Sequence, residues 1–384
     1  MIMIDPLAQH ESQEEKQLKL PLKQTSKFHG FDFLRAIFSV AIVADHAGLF
    51  TLATVQGVDT LTNLLYGNFS YLAVPTFFQI SLFLFYFKSK KVEFRRFFQK
   101  RIIRLISLYL FWVSLFVLLR FLFKGGNAGT AQFAPISVRG WIEFIVSGCN
   151  SPFYFFFSLI FTTILAALIA LFFKASENNS IRVIYFLFVI SCILIFLFSI
   201  FDPIISNSYI GDRESSLVQT ISGIAQWDYN PLNFLPYVFS AAIVVHELDR
   251  GKLEEITPLF QLKLWSLLTL FLIFTLLEWI LLASLVHYSR LSLVFGSWLL
   301  LYLALLTTRQ VPCVVKLISD CSLGLYALHL FFTHILFAEN TSFLHALSAL
   351  VPGLDILVEF LLALIGSIAL TLLLKKIEGL KNFV

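Results

Sequence analysis

Residues 361–374 read LLALIGSIALTLLL and are followed at once by Lys375 and Lys376. The run carries no charge, and its polar positions, Ser367 and Thr371, do not alternate with apolar ones as a membrane β-strand requires. In lipid such a segment can satisfy its backbone only as a helix. Extended back to residue 354 it reaches the roughly 20 residues needed to cross a bilayer. Outward from it, nine similar stretches lie near 33–53, 68–87, 102–123, 153–173, 181–201, 232–248, 262–284, 291–308 and 313–337. The pattern predicts an all-α polytopic membrane protein, a bundle of about ten transmembrane helices.

Composition agrees. Of 384 residues, 58% are hydrophobic and 14% charged, against about 25% charged in soluble domains, which excludes a water-soluble globule. The net charge of +4 is too small to imply a nucleic-acid partner. Lys and Arg are retained on the cytoplasmic side of membranes. With the N-terminus inside, 21 of the 28 basic residues fall in inner segments, 4 in outer segments and 3 (Arg35, Arg104 and Arg120) within spans. Both termini are therefore expected in the cytoplasm. Residues 1–28 are expected as a disordered polar tail, 29–376 as one membrane domain and 377–384 as a short cytoplasmic tail. The first segment lacks the apolar core and small-residue cleavage site of a signal peptide. Cys149, Cys192, Cys313 and Cys321 have no metal-ligand spacing, and no metal is expected. Trp141, Trp227 and Tyr229 in the longest outer loops, 124–152 and 202–231, read as an interfacial aromatic belt.

A charge inside a span costs a few kcal/mol, so each one is a functional candidate. Arg35 and His46 are eleven residues apart, which on a helix returns to within about 20° of one face and displaces His46 by about 16 Å. The stripe would run from a cytoplasmic arginine to an imidazole beyond the midplane. The plainer alternative is an interfacial arginine that snorkels and a histidine bonded to a neighbouring helix. Arg101 and Arg104 share a face at the start of the third span, with Tyr109 further along. With Arg35 they would form a cytoplasm-facing cationic pocket suited to phosphate, to which guanidinium gives forked hydrogen bonds. Ser322, Tyr326 and His329 share a face of the ninth span, and a straight helix from about 314 puts His329 about 22 Å along, close to the depth of His46. His287, His334 and His345 are assigned no role. Asp45 and Glu278 are unexplained carboxylates within spans; either could orient a histidine, and the sequence places neither.

These residues resemble the membrane-bound acyltransferase-3 family, which includes bacterial O-acetyltransferases of surface glycans. Its first-helix pattern is matched by Phe31-Asp32-Phe33-Leu34-Arg35 through to His46, with ten residues between Arg and His. Val74, Phe77, Phe78, Ser81, Phe83 and Leu84 resemble its second helix, although Ala73 and Leu82 replace glycines. Arg101 and Arg104 match its Arg-x-x-Arg, with Ser107 where a proline is usual, and Ser322–His329 resembles its late Ser-Tyr-Gly-Ile-Tyr-Leu-x-His segment. The likeness covers about residues 28–374. It implies a bacterial inner-membrane, multi-pass O-acyltransferase using cytoplasmic acyl-CoA, commonly acetyl-CoA. The acceptor it implies is a glycan or lipid-linked sugar. Arg35, Arg101 and Arg104 would hold the CoA phosphates. His46 would act as general base or carry the acyl group, with Arg35, Tyr326 and His329 completing the catalytic set. With no hydrolase-like domain after the last span, a separate extracytoplasmic partner would supply any such function. The competing reading is a proton-coupled transporter or flippase of a lipid-linked sugar, because intramembrane Arg, His and carboxylates also suit a carrier.

Overall fold

The structure, a computed structural model, describes residues 28–52, 66–124, 137–175, 177–207, 227, 229–253, 255–282, 285, 287–336 and 341–384. The polar tail expected over 1–28 thus lies almost wholly outside the described residues, as does much of the loop 202–231. The described chain is helical without strands: α1 (His29–His46), α2 (Ala73–Ser89), α3 (Phe94–Lys124), α4 (Val138–Val146), α5 (Tyr154–Ala175), α6 (Glu177–Asn207), α7 (Leu235–Asp249), α8 (Pro258–Leu281), α9 (Leu291–Leu306), α10 (Cys313–Asp320), α11 (Ser322–Phe331), α12 (Thr341–Leu350) and α13 (Leu354–Lys376). All ten apolar stretches are helical. Among the described residues, seven helices are long and apolar enough to cross a membrane, or eight if the bent pair α10 and α11 is one span.

Packing sorts the helices into two shells. In the most apolar stretches of α2 and α7, with the short turns that lead into them, 72% of residues are buried, whereas α8 and α13 bury only 11% and 17% of theirs. Large side chains left exposed on the outer helices, such as Ile190, Leu272, Leu276 and Ile365, form the lipid-facing surface. The inner helices α1, α2 and α7 pack against α5, α9, α10 and α11, around a core of stacked rings such as Phe78 on Phe234 at 4.3 Å.

Two helices depart from the sequence expectation where it matters for the site. The first stretch was expected to run to residue 53, but α1 stops at His46 because Gly48 takes a left-handed φ of 71° and its N–H returns to the Asp45 carbonyl at 2.9 Å. A left-handed residue just past the end is the usual helix terminator. His46 is thereby the last helical residue rather than one in mid-span. The ninth stretch, expected as one straight helix, bends by 63° between α10 and α11. Lys316 and Ser319 of α10 reach Asp32 of α1, at 3.2 and 2.8 Å. Gly324 of α11 lies so close to α13 that a Cβ there would stand 2.1 Å from Thr371 Oγ1.

Another departure is the loop expected over 124–152. Its end, Val146–Ser151, is a buried turn in which Gly148, Cys149 and Asn150 all adopt positive φ. Irregular backbone is tolerated inside a membrane bundle only where protein encloses it and its groups are paired. Here Ser147 Oγ accepts from Asn150 N at 2.9 Å, Cys149 N donates to the Phe144 carbonyl at 2.9 Å, and the Ser151 hydroxyl donates to the Gly148 carbonyl.

The two unexplained carboxylates have partners other than histidine. Ser70 donates a side-chain hydrogen bond to Asp45. Glu278 accepts from Arg290 Nε at 2.9 Å and from Ser292 N at 3.0 Å, and Arg290 is fully buried. The same guanidinium donates to the carbonyls of Gly67 and Leu285, to Asn68 Oδ1 and to Ser292 Oγ. In the sequence Arg290 is one of the four basic residues of the outer segments, and no local pattern links it to a glutamate twelve residues earlier. Removing one partner of a buried pair strands the other charge and costs about 3–5 kcal/mol. Glu278→Ala should therefore lower the unfolding midpoint of the detergent-purified protein sharply, and adding Arg290→Met should restore part of the loss. Equal stability of Glu278→Ala and the native chain would show that the pair carries no such weight.

Candidate active site

The first-helix stripe survives in three dimensions because α1 is regular between Arg35 and His46. Asp32 and Arg35 lie one turn apart near its start and His46 lies at its end. Arg35 opens onto a cavity of about 390 Å³ that Arg101, Arg104, Ser81, Asp320, Ser322 and Tyr326 also line. Three arginines expected to act together thus do face one space, brought from α1 and α3. Arg104 is exposed along α3, whereas Arg101 is held in place from α2, donating to Ser81 Oγ at 2.6 Å and to the Ser81 carbonyl at 3.2 Å. The Nε of Arg101 is buried with no hydrogen-bond partner among the described residues. That leaves donor capacity at the cavity, in contrast to the saturated Arg290.

The apolar part of the cavity follows from the same helix. Leu105 and Leu108 continue the face of Arg101 and Arg104 and meet Phe155, Phe156 and Leu159 of α5. The result is a space with guanidinium at one end and hydrocarbon beyond it.

His46 and His329 do not line the cavity, but they meet each other. Their ring centroids lie 4.9 Å apart. The depth argument from the sequence therefore reached the right pairing through a helix that is in fact bent, because α10 turns aside and α11 begins beside α1. His329 is fully buried and its Nδ1 lies 2.8 Å from the Leu325 carbonyl, one turn back. A carbonyl only accepts, so Nδ1 carries a proton, and Nε2 has no partner among the described residues. A third ring, His334, left without a role in the sequence because it lies toward a loop, stands 5.5 Å from His46, in the π-turn Phe332–Leu336 by which the chain leaves α11.

Tyr326 stands between the two parts. It lines the cavity, and its ring centroid is 6.4 Å from that of His329. Its hydroxyl donates to the Pro152 carbonyl at the end of the buried turn, which commits its proton. Ser322 also lines the cavity. Cys149, in the same turn, is an unsuitable acyl carrier: burial pushes its thiol up to about 11, so little thiolate forms at neutral pH. No group of three or more His, Cys, Asp or Glu side chains able to hold a metal occurs among the described residues.

Fold and site together define a multi-pass helical membrane protein with a cationic cavity that ends beside paired imidazoles. The family model described as "Acyltransferase domain", of the acyltransferase-3 type, matches residues 28–376. The chain belongs to that family and is a membrane acyltransferase. No curated protein and no solved structure matches it.

Deleting the Tyr326 hydroxyl would remove one of two donors to the Pro152 carbonyl and leave Phe155 N, at 3.2 Å, as the other. Losing one hydrogen bond costs about 1 kcal/mol, so Tyr326→Phe should lower the thermal midpoint by roughly a degree or two while keeping the helical circular-dichroism signal. An unchanged midpoint would mean that this bond does not hold the turn.

Proposed function

We propose that the protein moves an acyl group, in the first instance acetyl, from cytoplasmic acyl-CoA to a hydroxyl of a cell-envelope or exported glycan, in a bacterial inner membrane. The observation that carries the reading is the convergence of Arg35, Arg101 and Arg104 on one cavity whose Tyr326 wall adjoins the His46–His329 pair.

The residues divide the work by chemistry. Arg101 and Arg104, with Arg35, bind the phosphates of the donor, where charge-assisted hydrogen bonds gain strength in a partly dried site. The apolar reach along Leu105 and Leu108 receives the arm and acyl end. His46 takes the proton of the acceptor hydroxyl as its oxygen attacks the thioester carbonyl. The C–S bond then breaks, and the departing thiolate receives that proton. In the covalent variant of the same reaction His46 accepts the acyl group first and passes it to the hydroxyl. His329, fixed through Nδ1, holds its ring beside His46. Tyr326 separates the donor cavity from the imidazoles, so passage of the acyl group requires its ring to swing aside. A separate extracytoplasmic protein would serve any later step on the glycan.

Two measurements test this. In a strain lacking the protein, surface glycans should lose their ester groups by mass spectrometry; the native chain should restore them and an equally expressed His46→Ala chain should not. Restoration by His46→Ala would remove that imidazole from the chemistry, and unchanged esters with lipid-linked sugars accumulating inside would favour a flippase. Arg104→Ala should raise KM for the acyl-CoA by roughly tenfold or more, the worth of one hydrogen bond to a charged group, with a smaller change in kcat. An unaltered KM would count against the phosphate pocket.

A further inference from the structure

Beyond α13 the chain does not simply run on. The N–H groups of Leu380 and Lys381 both return to the Ile377 carbonyl at 3.0 Å, and Phe383 N returns to the Leu380 carbonyl at 2.9 Å. These tight turns carry the segment 377–384 back against α3. The ring of Phe383 stacks on Phe111 at 4.3 Å, and its carbonyl accepts from Trp112 Nε1 at 3.0 Å. Trp112 is itself fully buried, among Phe153 at 6.4 Å and Phe331 at 6.2 Å. Val384, 9% exposed, reaches the donor cavity and lines it.

The position of this contact along α3 gives it meaning. Trp112 is eleven residues beyond Arg101 and eight beyond Arg104, so it lies about 16 and 12 Å further along the helix axis. Phe383 is thus held at Trp112, about one turn past Leu108, and Val384 next to it joins Leu108, Phe156 and Leu159 in the lining of the cavity. A donor held by its phosphates at the arginines would point its acyl end this way. The tryptophan hydrogen bond and the stacked ring fix Phe383, and Phe383 fixes how far Val384 projects.

Building on the acyl-CoA reading above, we propose that Val384, positioned by Phe383 and Trp112, closes the apolar end of the cavity and sets the length of acyl chain that it admits. In a hydrophobic pocket a single methylene that does not fit is discriminated by roughly tenfold or more. A short acyl group fits in front of Val384; each further methylene must displace it.

The test measures binding of free CoA and of acetyl-, butyryl-, hexanoyl- and octanoyl-CoA to the purified full chain by titration calorimetry, so that no acceptor is needed. The native chain should bind acetyl-CoA best and lose affinity as the acyl chain lengthens. Val384→Ala and Phe383→Ala should move the optimum to a longer chain, improving butyryl- or hexanoyl-CoA by roughly tenfold relative to acetyl-CoA. Val384→Trp should weaken even butyryl-CoA while leaving free CoA unchanged. Circular dichroism and the thermal midpoint identify which variants are folded, and two substitutions of opposite sign at Val384 protect the test against one that is not. Thioester binding by the native chain with the same length profile in every folded variant would overturn the role of Val384 alone. No binding of CoA or any thioester would overturn the donor reading and this inference with it.

Discussion

An arginine fully removed from solvent must have its guanidinium donors met by fixed acceptors, and Arg290 meets them with groups drawn from four places in the chain: Glu278 of α8, Leu285 in the connection, Gly67 and Asn68 ahead of α2, and Ser292 of α9. The requirement is geometric as well as energetic, since an unmet charge in this position would cost more than any single apolar contact returns. Arg290 therefore locks the α8–α9 hairpin to the entry of α2. From there the constraint passes to the site. Helix α2 packs on α1, α5, α7 and α9, and its Ser81 holds the guanidinium of Arg101 against the cavity.

The protein thus uses the same side chain in two ways. At Arg290 every direction is occupied and the residue is architecture. At Arg101 two donors are satisfied by Ser81 while Nε remains buried and unpaired, and Arg104 and Arg35 open onto the same space. Glu247 is a second fully occupied buried charge. Glu247 is closed off by Lys263 at 2.7 Å, Tyr302 at 2.6 Å and Tyr185 at 3.2 Å, tying α6, α7, α8 and α9 together. Asp320 on the cavity wall is half exposed and pairs with Lys316 at 3.0 Å. Saturation of hydrogen-bonding capacity, rather than charge alone, distinguishes Arg290 from Arg101.

Interruptions of helices bring the imidazoles and Tyr326 together. Gly48 stops α1 at His46, the bend at Cys321 lets α11 start beside α1, and the buried turn at Gly148–Asn150 brings the Pro152 carbonyl to Tyr326. Each interruption places polar groups where continuous spans would have shown only apolar faces. The cost is local backbone strain at Cys149 and Asn150, which surrounding pairing sustains.

Helical class, the apolar stretches and the alignment of Arg35 with His46 and of Arg101 with Arg104 were all legible in the sequence, because hydrophobicity and helical register are local properties fixed by the rise and turn of a helix. The meeting of His46 and His329 was legible only by arithmetic on a straight helix that the bend at Cys321 does not provide. Tertiary structure alone decided the rest: Arg290 answering Glu278, Ser81 holding Arg101, His334 joining the imidazoles and Val384 returning to the cavity. These depend on which faces meet across separate segments and on where helices break. Such pairings are set by the demand that every buried polar group find a partner, a condition satisfied by the whole bundle and written in no single stretch of it.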